Sequence, residues 1–285
     1  MLLDHSDLQT KEVLDWKGFN LLHFAGSACS QKLRIFLNLK EIDWISHHVD
    51  LTKNEQFDPW YLGINPKGLV PTLVHDGNVH IESNDIMQYI ESVNSDIVLF
   101  PDEHIDEINK NLEYEDSLHI DLRTLTFRFI VPHKLGKKDL KLLDKKKNFK
   151  GTIQGNKDKN KQKEIEFWKQ HYKYGITDNQ VITSANNFIV ALHKIEKKLC
   201  QNKYILDNNL SILDVAWFIS INRIINAGFP VKNKYPNINV WFKMLSSDKR
   251  FSNEVKGNVP LFIIKNTLGL YNFFKKRRLI DIVKF

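Results

Sequence analysis

The chain has 285 residues, of which 42% are hydrophobic and 26% charged, and a formal net charge of +7. This composition is typical of a soluble globular protein, and the length allows one large domain or two of ordinary size. Its two cysteines exclude a disulfide framework and favour a reducing, cytoplasmic compartment. The first residues lack the basic start and apolar core of a secretory signal, and no apolar run reaches the roughly 18–20 residues that span a bilayer.

The positive charge is concentrated in one segment. Residues 134–163 contain 12 lysines and three aspartates, a net charge of +9, so the rest of the chain carries −2. The segment is also rich in Asn, Gln and Gly, which favours a solvated, mobile insert. It contains one aromatic residue, Phe149, and no arginine. Because stacking platforms and bidentate cations are missing, we expect no nucleic-acid partner.

Residues 20–94 alternate between strand and helix periodicity. In chain order the pattern predicts a strand at Asn20–Phe24, a helix from Ser27 to about Lys40, a strand at Trp44–Val49, a helical turn at Phe57–Leu62, a hairpin of Val70–Val74 and Val79–Ile81, and a helix from Ser83 or Asn84 to Val93. The order β-α-β-α-β-β-α indicates an α/β domain over residues 20–96.

After Phe100 and Pro101 no strand pattern is convincing. Helices are predicted at Asp106–Thr126, Asp178–Leu199, Val215–Ala227 and from about Val240. The sequence therefore predicts an N-terminal extension (residues 1–19), an α/β domain (20–96), an all-helical domain (102–258) that carries the insert 134–163, and an amphipathic basic tail (259–285).

Four motifs together resemble the glutathione S-transferase superfamily. They are SACSQKLRIFL at 27–37, INPKGLVPTLVHDGNVHIES at 64–83, SILD at 211–214 and YPNINVWFKML at 235–245. The first is most similar to the zeta class and to tetrachlorohydroquinone dehalogenases, and the second to glutathione-dependent β-etherases. The extension, the insert and the tail have no counterpart that we can place. The resemblance implies a thioredoxin-like N-terminal domain, an all-helical bundle and a homodimer.

The resemblance implies that glutathione is the cosubstrate and that Ser27, Cys29 and Ser30 form the catalytic segment. The first amides of a helix lack partners and carry partial positive charge, which stabilises a thiolate. Ser27 would hydrogen-bond the glutathione sulfur; its other interpretation is an ordinary helix N-cap. Cys29 would permit disulfide exchange, or is a small buried hydrophobe.

The resemblance also assigns the rest of the glutathione site. Val70 and Pro71 are expected to form a cis peptide bond whose neighbouring backbone pairs with the tripeptide. Glu82 would accept from its ammonium group, Ser83 and the following helix would bind a carboxylate, and Lys67 would reach the glycyl carboxylate or the peptide edge. Glu82 and Ser83 also fit a plain helix cap.

Trp217 and Arg223 are predicted to line the pocket of an electrophilic second substrate. Asp214 is read as part of a capping box and not as a catalytic acid. The histidines do not share a metal-ligand spacing, so no metal is proposed.

The function expected from the resemblance is attack of the glutathione thiolate on an electrophilic, aromatic or unsaturated small molecule. The outcome would be conjugation in detoxification, ether cleavage, reductive dehalogenation or cis–trans isomerisation. The alternative is a non-catalytic scaffold protein that acts through its basic insert and tail. The tail either covers the helical domain, which we favour, or lies on a membrane surface.

Overall fold

Two units make up the described part of the chain. The computed structural model describes residues 1–256 and 259–285, with side chains described for 1–256 and 266–285. Unit 1 comprises Met1–Ile97 and Lys137–Tyr174, and unit 2 comprises Val98–Gly136 and Gly175–Phe285.

Unit 1 is built on a four-stranded mixed sheet. Its elements are β1 Phe19–His23, α1 Ala28–Leu39, β2 Ile45–His48, α2 Pro59–Leu62, β3 Thr72–His75, β4 Asn78–Ile81 and α3 Ser83–Val93. The strand order is β2-β1-β3-β4, with β1 parallel to β2 and antiparallel to β3, and β3 antiparallel to β4. The predicted β-α-β-α-β-β-α order, and with it the thioredoxin-like domain, is confirmed.

The β3–β4 hairpin shows how local sequence fixes the register. Asp76 and Gly77 both have positive φ, +47° and +79°, as a two-residue turn that matches strand twist requires. A Cβ atom on Gly77 would lie 2.3 Å from the carbonyl oxygen of Leu14, so no larger residue fits there. The turn pairs His75 with Asn78 and thereby sets the register of the hairpin.

The N-terminal extension covers the outer edge of β4. The amide of Leu3 donates to the carbonyl of Val79 at 2.9 Å, and the amide of Ile81 donates to the carbonyl of Met1 at 2.9 Å. Leu3, Leu8 and Val13 are at most 2% exposed and belong to the core of the unit. Because these backbone bonds pair an otherwise open sheet edge, the extension blocks edge-to-edge association there.

The lysine-rich segment differs from the solvated excursion that its composition predicts. Residues 137–174 belong to unit 1 and not to the helical unit, and they form helices at Leu140–Asn148 and Lys161–Tyr174. The segment packs because a few apolar residues are placed among the lysines. Three of them, Leu143, Ile165 and Trp168, are buried. Even Lys146 is 0% exposed and pairs with Glu164 at 2.5 Å.

Asp7 joins the extension to the lysine-rich segment. Its carboxylate accepts from the Thr152 hydroxyl, from the Gln154 amide at 2.6 Å and from the Gly155 amide at 3.1 Å. Although burial raises the pKa of Asp7, the hydrogen bonds outweigh it and hold that pKa below its usual range. This carboxylate therefore stabilises the fold above its unfolded-state pKa, and that contribution is lost as the pH falls through its folded pKa.

Unit 2 is helical. Including the helices of the lysine-rich segment, the remaining helices in chain order are α4 Ile105–Ser117, α5 His119–Phe129, α6 His133–Gly136, α7 Leu140–Asn148, α8 Lys161–Tyr174, α9 Asp178–Leu199, α10 Ile212–Ala227, α11 Val231–Lys234, α12 Pro236–Ser247, α13 Lys249–Val255, α14 Val259–Phe274 and α15 Leu279–Ile282. In the described residues no helix has both the length and the apolar character to cross a membrane.

Three helix boundaries in unit 2 differ from the prediction. Helix α10 begins at Ile212, three positions before the predicted Val215. The helix predicted at Asp106–Thr126 is two helices, α4 and α5, which meet at Leu118, where the backbone leaves the helical region. Helix α12 begins at Pro236, four positions before the predicted start. Proline is favoured at the first helical position because its missing N–H has no partner there anyway.

Asp214 is the buried polar centre of unit 2. Its carboxylate accepts from the amides of Ile205 and Ser211, both at 3.0 Å, from the Ser211 hydroxyl at 3.1 Å and from the Trp241 indole at 2.8 Å. It is 0% exposed, and burial outweighs these donors and raises its pKa to about 6. The geometry is that of the capping box predicted from SILD, since every oxygen is occupied by a donor of unit 2.

We predict that Asp7→Asn lowers the free energy of unfolding of unit 1 by about 2 kcal/mol, because an amide replaces a carboxylate that faces four donors, the fourth being the Asp4 amide at 3.3 Å. Hydrogen exchange should accelerate in residues 149–160 and stay slow in β1. The matched control is Asp4→Asn, whose exposed side chain makes none of these bonds. Equal behaviour of the two variants would show that Asp7 does not hold the segment.

We predict that Asp214→Ala lowers the free energy of unfolding of unit 2 by about 4 kcal/mol, since it leaves several buried donors without an acceptor. Trp241→Phe removes one donor and keeps the carboxylate. The lost hydrogen bond should lower the free energy of unfolding by only about 1 kcal/mol. Urea denaturation followed by circular dichroism measures both. A smaller loss for Asp214→Ala than for Trp241→Phe would contradict this account.

Candidate functional site

The candidate site lies where β1 ends and α1 begins. Ser27 is the N-cap of α1, and its Oγ accepts from the Ser30 amide at 3.3 Å. The same hydroxyl donates to the carbonyl oxygen of Val70 at 3.5 Å. Ser27 is half-buried, so its hydroxyl caps the helix and also lies beside the backbone of the neighbouring loop.

Cys29 and Ser30 occupy different surroundings in the first turn of α1. Cys29 is half-buried and is not in a disulfide. Ser30 is 0% exposed, and its Oγ accepts from the Phe24 amide at 3.5 Å. Ser30 thus supports the loop from inside, whereas Cys29 retains contact with solvent at the positive end of the helix dipole. The predicted catalytic role of each stays a prediction.

A buried cation holds the loop that precedes Ser27. Arg34 is 6% exposed and donates to the carbonyls of Phe24 at 3.4 Å and Ala25 at 3.2 Å. It also lies 3.1 Å from Nδ1 of His23. Because a guanidinium only donates, Nδ1 is the acceptor, and Nε2 carries the proton that it donates to Ser46 at 2.8 Å.

Electrostatics keep this histidine neutral. Burial first, and then the charge of Arg34, lower the pKa of His23 to about 4. At neutral pH the loop therefore rests on one cation, Arg34, and one neutral acceptor. The sequence interpretation missed this pair, because it named neither His23 nor Arg34 as a site residue. The sequence signal that could have indicated this pair is His23, a titratable residue at the end of the apolar strand β1.

The second side of the site is the loop 65–71. The Val70–Pro71 peptide bond is cis, as predicted. The Asn65 amide group donates to the carbonyl of Leu69 at 3.0 Å and to the Thr72 hydroxyl at 2.9 Å. The Tyr61 hydroxyl also donates to the carbonyl of Leu69, at 2.5 Å. The loop is therefore held by side chains from before and after it.

Gly68 is required by the same loop. Its φ is +58°, and a Cβ atom there would lie 2.9 Å from the carbonyl oxygen of Gln56. Both the backbone conformation and the lack of space select glycine. Neither Tyr61 nor Asn65 was predicted as a site residue, because their effect depends on a partner several residues away in the folded loop.

The third side is the N-terminus of α3. Glu82 precedes the helix with φ +66° and ψ +115°, a region that costs a non-glycine residue about 1–3 kcal/mol. Its carboxylate lies 2.5 Å from Nζ of Lys67, so these two predicted residues form an ion pair. Ser83, the first residue of α3, is 7% exposed. Lys32, buried in α1, donates to Asn84 at 2.9 Å and ties α1 to this helix end.

The predicted residues Ser27, Cys29, Lys67, Val70, Pro71, Glu82 and Ser83 all lie in unit 1, where Ser27 contacts Val70 and Lys67 pairs with Glu82. Two helix N-termini supply backbone amides and partial positive charge for anionic groups. Glu82 supplies a carboxylate for an ammonium group, and the backbone around Val70 supplies peptide hydrogen-bonding groups. Such a set fits a small peptide that carries a thiolate, a carboxylate and an ammonium group.

The two pocket residues guessed from the sequence lie in unit 2. Trp217 is 1% exposed, with its ring centroid 6.2 Å from that of Tyr114, and Arg223 is half-buried on the same helix, α10. Their role toward a second substrate stays a prediction. In the part of the chain that the structure describes, no group of three or more His, Cys, Asp or Glu residues is arranged to hold a metal ion.

Comparisons with known proteins agree with this geometry. The family profile "Glutathione S-transferase, N-terminal domain" matches residues 26–93. A zeta-class glutathione S-transferase of Euphorbia esula is 45% identical over 71 residues, which are 25% of this chain and 32% of that protein. A probable maleylacetoacetate isomerase of Caenorhabditis elegans is 40% identical over 79 residues, 28% and 36% of the two chains. The chain spans about a third of the length of these curated relatives.

The structural similarity extends over more of the chain. The crystal structure of the β-etherase LigF from Sphingobium sp. strain SYK-6 superposes with a TM-score of 0.70 and 22% identity, and the match covers 83% of this chain and 98% of that one. Residues 26–93 match the glutathione S-transferase N-terminal domain, and the chain has the glutathione S-transferase fold.

Proposed function

We propose that this protein is a glutathione-dependent transferase that activates the glutathione thiolate for attack on an electrophilic small molecule. The observation that carries the proposal is the position of the Ser27 hydroxyl, at the N-terminus of α1 and 3.5 Å from the carbonyl of Val70. The matched N-terminal domain and the relatives named for zeta-class transferase and isomerase activity support it.

Binding of glutathione is proposed to use the three sides of the site. The tripeptide backbone pairs with Val70 beside the cis bond to Pro71, as an added strand would. Glu82 accepts a hydrogen bond from the ammonium group of the γ-glutamyl residue. The carboxylate of that residue is bound by Ser83 and the first amides of α3. Lys67, which pairs with Glu82 at 2.5 Å, orients the Glu82 carboxylate. Its positive charge also faces the edge of the bound peptide.

Activation of the thiol follows from hydrogen bonding to its charged form. The Ser27 hydroxyl has one proton, which it donates to the Val70 carbonyl in this structure and turns to the sulfur when glutathione binds. That hydrogen bond and the partial charge of the helix N-terminus both stabilise the thiolate over the thiol. Each 1.4 kcal/mol of such stabilisation raises the thiolate-to-thiol ratio about tenfold, starting from a free thiol pKa of about 8.5. The electron pair of the thiolate then forms a bond to an electrophilic carbon, and the leaving group departs or the double bond rearranges.

Cys29 adds a second route on the same turn. If an aromatic substrate becomes bonded to the glutathione sulfur, the Cys29 thiolate can attack that sulfur. The sulfur–carbon bond then breaks, the carbon takes a proton, and a Cys29–glutathione disulfide remains. A second glutathione thiolate releases Cys29 as oxidised glutathione forms. Conjugation, ether cleavage and isomerisation need no such step, so Cys29 distinguishes reductive dehalogenation from them.

The non-catalytic scaffold alternative depends on the basic insert and tail. Residues 137–174 contribute buried residues to unit 1, among them Ile153 of its core. Deleting the insert would therefore disturb the fold as well as the surface, and only charge-changing variants test the scaffold function cleanly. A homodimer and a role in detoxification stay predictions from the resemblance, and a cytoplasmic location stays a prediction from the two cysteines.

We predict that Ser27→Ala raises the thiol pKa of bound glutathione by at least one unit and lowers kcat/KM by about 10²-fold, with the affinity for S-methylglutathione, which has no ionisable thiol, changed less than threefold. Thiolate absorbance across a pH titration and calorimetric titration measure these quantities. Cys29→Ala is the matched control within the same turn: conjugation should persist, and reductive dehalogenation should stop. An unchanged thiol pKa in Ser27→Ala would overturn the proposed role of Ser27.

We predict opposite effects of Glu82→Gly on stability and on binding. Glycine accepts a φ of +66° without strain, so the loss of stability should be small or reversed, by about 1 kcal/mol or less. The affinity for glutathione should fall at least tenfold, because the ammonium group loses its acceptor. Glu91→Gln, a carboxylate change on the same helix that faces Lys40, serves as the binding control. Unchanged affinity in Glu82→Gly would contradict the assigned site.

A further inference from the structure

The end of α14 presents an apolar face to solvent. Leu270, Tyr271, Phe273 and Phe274 are 58%, 52%, 52% and 73% exposed. At 100° per residue these four positions lie on the side of the helix opposite Asn272, which is 9% exposed. A surface helix normally has polar residues on its solvent side, so this arrangement calls for a partner that covers the apolar side.

Four cations follow this face directly. Lys275, Lys276 and Arg277 are exposed, and the Arg278 guanidinium lies 4.9 Å from the ring centroid of Phe273 while pairing with Asp281. The last 27 residues contain six Lys or Arg and one acidic residue, Asp281. The exposed apolar side chains and the exposed cations, Leu270, Tyr271, Phe273, Phe274, Lys275, Lys276 and Arg277, are called the tail surface below.

The tail surface is already the outer side of a docked segment. Leu279 and Val283, which follow it, are 1% and 5% exposed, and α15 packs against α9. The inner side of the tail is therefore used to attach it to unit 2, which is the cover predicted from the sequence. Leu270 and Phe273 also line a cleft with Phe129 and Ala227, yet more than half of the surface of each of the four apolar side chains stays exposed in unit 2.

We propose that the tail surface binds peripherally to an anionic phospholipid bilayer. Large aromatic and aliphatic side chains next to lysines and arginines are the composition of helices that lie in the membrane interface. The cations are attracted to acidic headgroups, and long Lys and Arg side chains keep their charge in water while their stems cover apolar surface. Tyr271 offers an apolar ring with a polar end, as residues at the interface often do.

Charge argues against a second copy of the chain as the partner. In a two-fold symmetric pair the same surface meets itself. Such an interface would bring Lys275, Lys276 and Arg277 of both copies close together with only Asp281 to offset them, and like charges oppose that contact. An anionic lipid surface instead supplies the opposite charge over the whole area.

The test is flotation of the purified full chain with vesicles of phosphatidylcholine, with and without about one third phosphatidylserine. Binding should require phosphatidylserine and weaken at high salt. Lys275→Gln/Lys276→Gln/Arg277→Gln should lower the partition coefficient about 100-fold, as each of the three cations near the surface contributes a factor of about five. Leu270→Ser/Phe274→Ser should lower it at least about tenfold through lost apolar burial.

Matched controls separate this surface from charge and apolarity elsewhere. Lys141→Gln/Lys145→Gln/Lys147→Gln removes three exposed cations from the lysine-rich segment, and Val240→Ser removes a 67% exposed apolar side chain of unit 2. Both should leave vesicle binding within twofold of the unchanged chain. Thermal unfolding of every variant confirms that the fold is intact.

Three results would overturn the proposal. One is absence of phosphatidylserine-dependent flotation, and another is loss of flotation in the lysine-rich control instead of the tail variants. The third is concentration-dependent self-association in analytical ultracentrifugation that Leu270→Ser/Phe274→Ser abolishes, which would assign the surface to a second copy. Glutathione binding is measured on the same samples, so failure of lipid binding and failure of the proposed activity remain distinguishable.

Discussion

The site depends on how the amino end of α1 is held. Arg34, buried beneath the loop, fixes the carbonyls of Phe24 and Ala25, and Ser27 connects the helix end to the carbonyl of Val70. These contacts hold the first turn of α1 and the Ser27 hydroxyl beside the loop 65–71. A thiolate needs donors that are already oriented, because donors that must rearrange return less stabilisation to the charged form.

A neutral histidine makes this support possible. If His23 were protonated, two cations would face each other at 3.1 Å under the loop. Burial and the charge of Arg34 keep the pKa of His23 near 4, below the unfolded value of about 6.5. Its contribution to stability is therefore complete above pH 6.5 and is lost as the pH falls toward 4. Acid should loosen the loop before it unfolds the sheet.

Much of the fold and part of the site were predictable from the sequence. Periodicity gave the order of the thioredoxin-like elements, and SILD gave the capping box around Asp214, because both signals are local. The resemblance gave the cis bond before Pro71. Arg34, Lys32, Asn65 and Tyr61 could not be assigned, since each acts through a partner that only the folded chain brings near. The prediction of a solvated insert for the lysine-rich segment was based on its net charge. It gave no weight to the few apolar residues that pack the segment onto unit 1.

In the proposed function, unit 1 binds glutathione as the thiolate. Calorimetric titration at pH 7.5, in buffers of different ionisation enthalpy, tests it directly by counting the protons released on binding. We expect saturable binding at millimolar glutathione with release approaching one proton per site, and binding of S-methylglutathione without proton release. Saturable binding of both ligands with no proton release, or no binding of glutathione at all, would contradict the claim.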